Sequence, residues 1–139
     1  MTMYDPHTPD EISALDFDLD TTSDSEIRNA VRSLLVVETA ALVNDAVLCT
    51  DEMVTNARRH GSPPRRCRIL RRFNPERLRI EVDDAGAAAP RLRTPDDRGG
   101  RGILLLDRIA LAWGVITGTG CKTVWAELAL EPSILPAGA

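Results

Sequence analysis

Apolar and acidic residues alternate in "ALDFDLDT" (14–21), setting Leu15, Phe17 and Leu19 on one side of an extended chain. That period of two predicts a half-buried strand. A helix should follow, because Ser23 and Glu26 have capping-box spacing and Ile27, Val31, Leu34 and Leu35 then recur at helical intervals. A second helix is predicted over Ala40–His60, with Gly61 as its stop and Pro63-Pro64 beyond. "RRCRILRRFNPERLRIEVDD" (65–84) reads as a hairpin around Asn74-Pro75-Glu76, its second arm alternating cleanly at Leu78, Ile80 and Val82. Residues 85–102, "AGAAAPRLRTPDDRGGRG", have no period and exceed an ordinary connection, which predicts a functional or mobile loop. "ILLLDRIALAW" should be a short helix, and "GVITGTG" with "CKTVWAELAL" two strands around a glycine turn.

The order β-α-α-β-β-loop-α-β-β predicts an α/β two-layer sandwich, a mixed and mostly antiparallel sheet with helices on one face. The strict alternation of a doubly wound chain is missing. The expected organisation is a disordered acidic tail (1–13), one domain (14–130) and a C-terminal tail (131–139).

Charge adds a constraint. Residues 1–27 carry eight acids and no Lys or Arg, whereas residues 58–79 carry nine arginines against one acid, Glu76. Seven of these arginines fall in the predicted hairpin around apolar residues, as solvated faces do, and no aromatics are interleaved for stacking on bases. Direct nucleic-acid binding is therefore not expected. The longest apolar runs are a few residues, so no membrane span is expected, and the start lacks the features of a signal peptide. A cytoplasmic location is the default. Cys49, Cys67 and Cys121 stand far apart without a CxxC pair, which predicts reduced structural thiols.

Three short elements could carry chemistry. On the second helix, Glu52, Asn56 and His60 recur every four residues along one edge of an apolar stripe formed by Leu42, Val43, Ala46, Val47, Thr50, Met53, Val54 and Ala57. Asp51, Thr55 and Arg58 should occupy the solvated face. In "VDDAGAAAP", Asp84 ends a strand and Gly86 allows close backbone approach. In "RGGRG" (98–102), glycines open a helix whose free N–H groups suit phosphate. "GTGCKT" (118–123) is a decoy for a P-loop, since Cys121 stands where glycine is needed and a strand follows.

In order and spacing, these elements resemble the GHKL (Bergerat-fold) ATP-binding superfamily over roughly residues 15–130. "DEMVTNARRH" looks like its N box, "DDAGAAAP" its adenine box with Ala88 at the second glycine position, "GGRGILLL" its phosphate box and "GCKTVWAEL" its terminal strand. Brevity and "RGGRG" suit the anti-sigma-factor serine/threonine kinase branch. The resemblance implies ATP and Mg²⁺ as cofactors, with Asn56 the metal ligand and Glu52 the general base. It implies that Asp84 accepts a hydrogen bond from the adenine amino group, that Gly86, Gly100 and Gly102 shape the pocket and lid, and that Thr123 helps hold the base. Arg98 would face the terminal phosphate.

The implied function is an ATP-dependent regulator that binds a sigma factor, an anti-sigma-factor antagonist or both and phosphorylates Ser or Thr on the antagonist, with a homodimer possible. The alternative is a catalytically silent nucleotide-binding module that signals through lid ordering. A detached histidine-kinase catalytic domain ranks third, and a nucleic-acid-binding domain resting on the arginine block last.

Overall fold

The computed structural model describes residues 12–73, 76–86 and 102–130. The elements are β1 (Ile12–Asp18), α1 (Asp24–Leu34), α2 (Ala40–His60), β2 (Arg66–Phe73), β3 (Glu76–Asp84), α3 (Gly102–Ile109), β4 (Ala112–Gly118) and β5 (Cys121–Ala129). The five strands form one sheet in the order β1-β2-β3-β5-β4, every neighbouring pair antiparallel. The two-layer α/β architecture read from the sequence is thus present, with a wholly antiparallel sheet.

Local chemistry explains the boundaries. Ser23 caps α1 through the expected capping box, its hydroxyl accepting from the Glu26 N–H at 3.2 Å. Thr39 caps α2, accepting from the Leu42 N–H at 3.3 Å. β1 takes in Ile12 and Ser13, which the sequence pattern assigns to the tail. The rest of that tail, and residues 131–139, lie outside the described residues. Helix α3 ends at Ile109, earlier than expected, and Trp113 belongs to β4. There its indole N–H donates to the Asp107 carboxylate on α3, while Leu111 N–H donates to the Glu127 carbonyl and starts the sheet register. The β4–β5 turn needs Gly120, whose φ is +69°.

The core lies between the helices and one face of the sheet. Leu78, Ile80 and Val82 of β3 and Val124, Ala126 and Leu128 of β5 meet Ala46, Cys49, Met53, Val54 and Ala57 of α2. Burying each large aliphatic side chain contributes about 1.5–3 kcal/mol. Burial pushes the Cys49 and Cys67 thiols up to about 12, so both stay protonated packing groups.

The opposite sheet face is a ladder of charges. Arg66 pairs with Asp16, Arg68 with Glu81 and Asp83, and Arg79 with Glu81 and Glu127. The Arg79 guanidinium also lies over the Trp125 ring, 4.5 Å from its centroid. Much of the arginine block is therefore matched by acids of neighbouring strands. Arg71 departs from the expected solvated pattern: it is buried, bonded to Glu38 at 2.9 Å and to the Leu34 carbonyl at 3.1 Å. Among the described residues no helix is long and apolar enough to cross a membrane.

Candidate functional site

Helix α2 supplies the first wall. Its buried residues, Ala46, Val47, Cys49, Thr50, Met53, Val54 and Ala57, match the expected stripe and add Cys49. Glu52 and Asn56 are half-buried beside the stripe, whereas His60 is exposed in the last turn. The face expected to be solvated is instead turned to α1. Asp51 pairs with Arg28 at 3.4 Å, and Arg58 pairs with Asp24 at 3.0 Å while donating to the Leu19 and Thr22 carbonyls. At about 100° per residue, Glu52 and Asn56 lie across the stripe from Arg58. Helix α3 also packs on α2.

The C-terminal end of α2 is fixed firmly. Gly61 N–H donates to the Ala57 carbonyl at 2.9 Å, and Arg65 Nε donates to the same oxygen at 3.0 Å. Arg65 also donates to the Gly61 carbonyl at 3.0 Å and to Asp20 at 2.8 Å. The Arg65 hydrogen bond and charge hold the Asp20 carboxyl below its ordinary value. Arg65 was missed by sequence reading; its only trace was a cation four residues past a helix-stopping glycine.

Asp84 sits at the end of β3, on the core face. Alternation along β3 buries Leu78, Ile80, Val82 and then Asp84, leaving Arg77, Arg79, Glu81 and Asp83 on the other side. One carboxylate oxygen, Oδ1, accepts from the Gly86 N–H at 2.6 Å. Ala85 N–H donates to the Ser62 carbonyl at 2.8 Å, tying this turn to the chain leaving α2. Two glycines make the approach possible. A Cβ on Gly61 would lie 2.5 Å from Asp84 Cγ, and one on Gly86 would lie 2.8 Å from Asp84 Oδ1. Asp84 and the last turn of α2 therefore meet backbone to carboxylate. Asn56 lies five residues before Gly61, about 7.5 Å along the helix axis.

The same period of two separates Thr123 from this group. Thr123 is on the opposite face, its hydroxyl donating to Asp83 Oδ1 at 2.7 Å. The β5 residue facing Asp84 is Lys122, registered directly across from it, with Nζ 3.6 Å from Asp84 Oδ2. Parity with Val124, Ala126 and Leu128 was the signal that could have found Lys122. Gly102 is the first residue of α3, while Arg98 and Gly100 lie outside the described residues.

The donor set fits a magnesium nucleotide. Asn56 offers a neutral carboxamide oxygen, which suits a hard cation already surrounded by phosphate charge. Asp84 is a buried, oriented acceptor in a cradle that only glycines leave open. Phosphate would be met near the start of α3, since the first-turn N–H groups of a helix have no partner within it.

Comparison with known proteins bears on the fold and the family. No curated protein matches the chain. Among solved structures, it is similar to the crystal structure of the RsbU and RsbW domains of Rv1364c from Mycobacterium tuberculosis, with TM-score 0.63 and 17% identity. That match covers 88% of this chain and 33% of the other, so the chain spans about a third of the length of that protein chain. Residues 17–128 match the family described as "Histidine kinase-like ATPase domain". Since that stretch includes the helix α2, the Asp84 turn and the terminal strand, the chain belongs to the histidine kinase-like ATPase domain family.

Proposed function

We propose that the protein is an ATP-binding regulator of the anti-sigma-factor type, which phosphorylates a serine or threonine on an antagonist protein. The observation that supports the reading is the buried Asp84 carboxylate packed closely against Gly61, at the end of the helix that bears Glu52 and Asn56. The RsbW-type structural neighbour supports the regulatory setting.

Each residue then has a defined task. Asp84 accepts from the adenine amino group, and Gly86 keeps the backbone close. Asn56 holds Mg²⁺ through its side-chain oxygen, with Gly100, Gly102 and Arg98 addressing the phosphates. When bound, the ion neutralises phosphate charge and fixes the triphosphate for in-line transfer. Glu52 accepts the proton of the attacking hydroxyl. The hydroxyl oxygen bonds to the γ-phosphorus, the bond to the bridging oxygen breaks, and phosphoprotein and ADP leave. Added phosphate charge at an interface would then separate antagonist from regulator. Partners in this reading are a sigma factor, an anti-sigma-factor antagonist, or both, with a homodimer as an option.

Incubation with radiolabelled Mg-ATP and the antagonist should label the antagonist. Glu52→Ala should abolish labelling while ATP still binds. ATP binding by the wild type with no labelling of any antagonist would favour the silent nucleotide-gated module, for which Ala88 in the adenine box is the supporting feature.

A further inference from the structure

The end of the molecule opposite Asp84 gathers groups that the fold leaves unused. At about 3.4 Å per residue, β3 sets Arg77 about 24 Å from Asp84. The β2–β3 hairpin lies there, and Arg71 ties the α1–α2 connection to it through Glu38 and the Leu34 carbonyl. The α3–β4 connection arrives at the same end, where the Leu111 N–H donates to Glu127, registered with Arg79. Among the described residues, four of the five exposed large hydrophobic side chains are found here: Val36, Val37, Phe73 and Leu111. Apolar exposure gathered at one end marks an interaction site, whereas scattered single residues do not.

Charge at this end is also unbalanced. Elsewhere Arg28, Arg58, Arg65, Arg66, Arg68 and Arg79 each pair with a carboxylate. Here Arg32, Arg72, Arg77 and Arg108 have no carboxylate partner among the described residues; Arg32 donates to Asn29 and Arg77 to the Glu76 carbonyl. The nearby acids are already engaged, since Glu38 and Glu76 share Arg71 and Asp107 accepts from the Trp113 indole. We propose that this end is a docking surface for an acidic amphipathic segment, and that residues 1–11 of the chain, "MTMYDPHTPDE", are that segment.

Complementarity and connectivity both select this occupant. Residues 1–11, which lie outside the described residues, contain Asp5, Asp10 and Glu11 with no Lys or Arg, and offer Met1, Met3 and Tyr4 as apolar groups. They join β1 at Ile12, whose register partner is Arg72, so Asp10 and Glu11 enter the chain beside an arginine that lacks an acid. Eleven extended residues reach up to about 36 Å. From β1 to β4 is four strand spacings, about 19 Å, which brings Leu111 and Arg108 within span. Tethering raises the local concentration of the segment, so individually weak surface pairs suffice. A second copy of the same end is a poor occupant, because it would set these arginines against themselves. This surface is separate from the nucleotide site and does not depend on that reading.

The test uses the full chain with a nitroxide on Thr2→Cys in a Cys121→Ser background, Cys49 and Cys67 being buried, and reads broadening of ¹⁵N amide resonances. Val36, Val37 and Phe73 should broaden at about 0.1 M salt and recover at about 1 M, where the screening length falls from about 10 Å to about 3 Å. Asp5→Asn with Asp10→Asn and Glu11→Gln should recover them at low salt, as should Arg72→Gln with Arg77→Gln. Gly61 and Asp84 should stay sharp throughout. Broadening indifferent to salt and to both sets of substitutions would overturn the proposal, since a tethered segment that does not dock gives that result. Broadening seen only when a labelled chain is mixed with a separate ¹⁵N chain would assign the surface to another copy's segment and overturn the intramolecular contact. Wild type that binds phosphatidylglycerol vesicles and shows no salt-dependent broadening would overturn it in favour of a lipid surface.

Discussion

Arg71 shows how a single residue can be misplaced by composition and placed by geometry. Its guanidinium bonds Glu38, Glu76 and the Leu34 carbonyl and lies 5.2 Å from the Phe73 ring centroid, with the side chain 7% exposed. It thereby ties the α1–α2 connection to the β2–β3 hairpin. Removing one partner of a buried pair leaves the other charge uncompensated, which typically costs about 3–5 kcal/mol. Arg71→Ala should lose stability in that range in urea unfolding, whereas Arg72→Ala, an exposed neighbour, should change it by less than about 0.5 kcal/mol. Equal effects would show that the Arg71 network contributes little. From sequence, Arg71 looked like one more arginine on a solvated strand. Nothing in its neighbours revealed that Glu38, 33 positions earlier, would reach it.

At the scale of elements, the helix and the strands yielded to different signals. The buried stripe of α2 and its half-buried edge at Glu52 and Asn56 were legible because helical phase depends only on spacing. The packing of Asp51 and Arg58 against α1 was not, because ion pairs between helices leave no period in either one. On the strands the placement is set by parity. A motif names Thr123, but the pleat carries Thr123 to Asp83 and Lys122 to Asp84. The helix expected over "ILLLDRIALAW" runs on to Trp113 because the stretch is apolar apart from Asp107 and Arg108, and a mostly apolar run alone does not separate helix from strand. The junction of α2 with the Asp84 turn is the element-scale feature open to a direct check. Gly61→Ala would place a Cβ 2.5 Å from Asp84 Cγ and 2.7 Å from the Ala57 carbonyl oxygen. Such overpacking costs about 1–3 kcal/mol. The variant should melt earlier and bind ATP more weakly; unchanged values for both would mean that helix and turn adjust independently.

For the whole molecule, one sheet face builds the core and the site while the other carries paired charge. That division makes acid stability predictable in sign. Burial raises the Glu81 carboxyl, but hydrogen bonds from Arg79 and Arg68 outweigh it and leave the group below its ordinary value of 4.5. A lowered folded-state value means that its contribution is fully present above the unfolded value and disappears as pH falls through the folded one. Between pH 7 and about 5, stability should therefore be insensitive to this group. At lower pH the wild type should lose stability more steeply than Glu81→Gln; parallel curves would remove Glu81 from the acid response.

The central claim is that Asp84 and Asn56, brought together by the end of α2, form a magnesium-nucleotide site. Calorimetric titration with Mg-ATP of wild type, Asp84→Ala and Asn56→Ala tests it most directly, repeated with chelator in place of the metal. Wild type should bind, Asp84→Ala should lose binding, and Asn56→Ala should retain a weaker affinity that no longer depends on Mg²⁺. Three indistinguishable thermograms would contradict the claim.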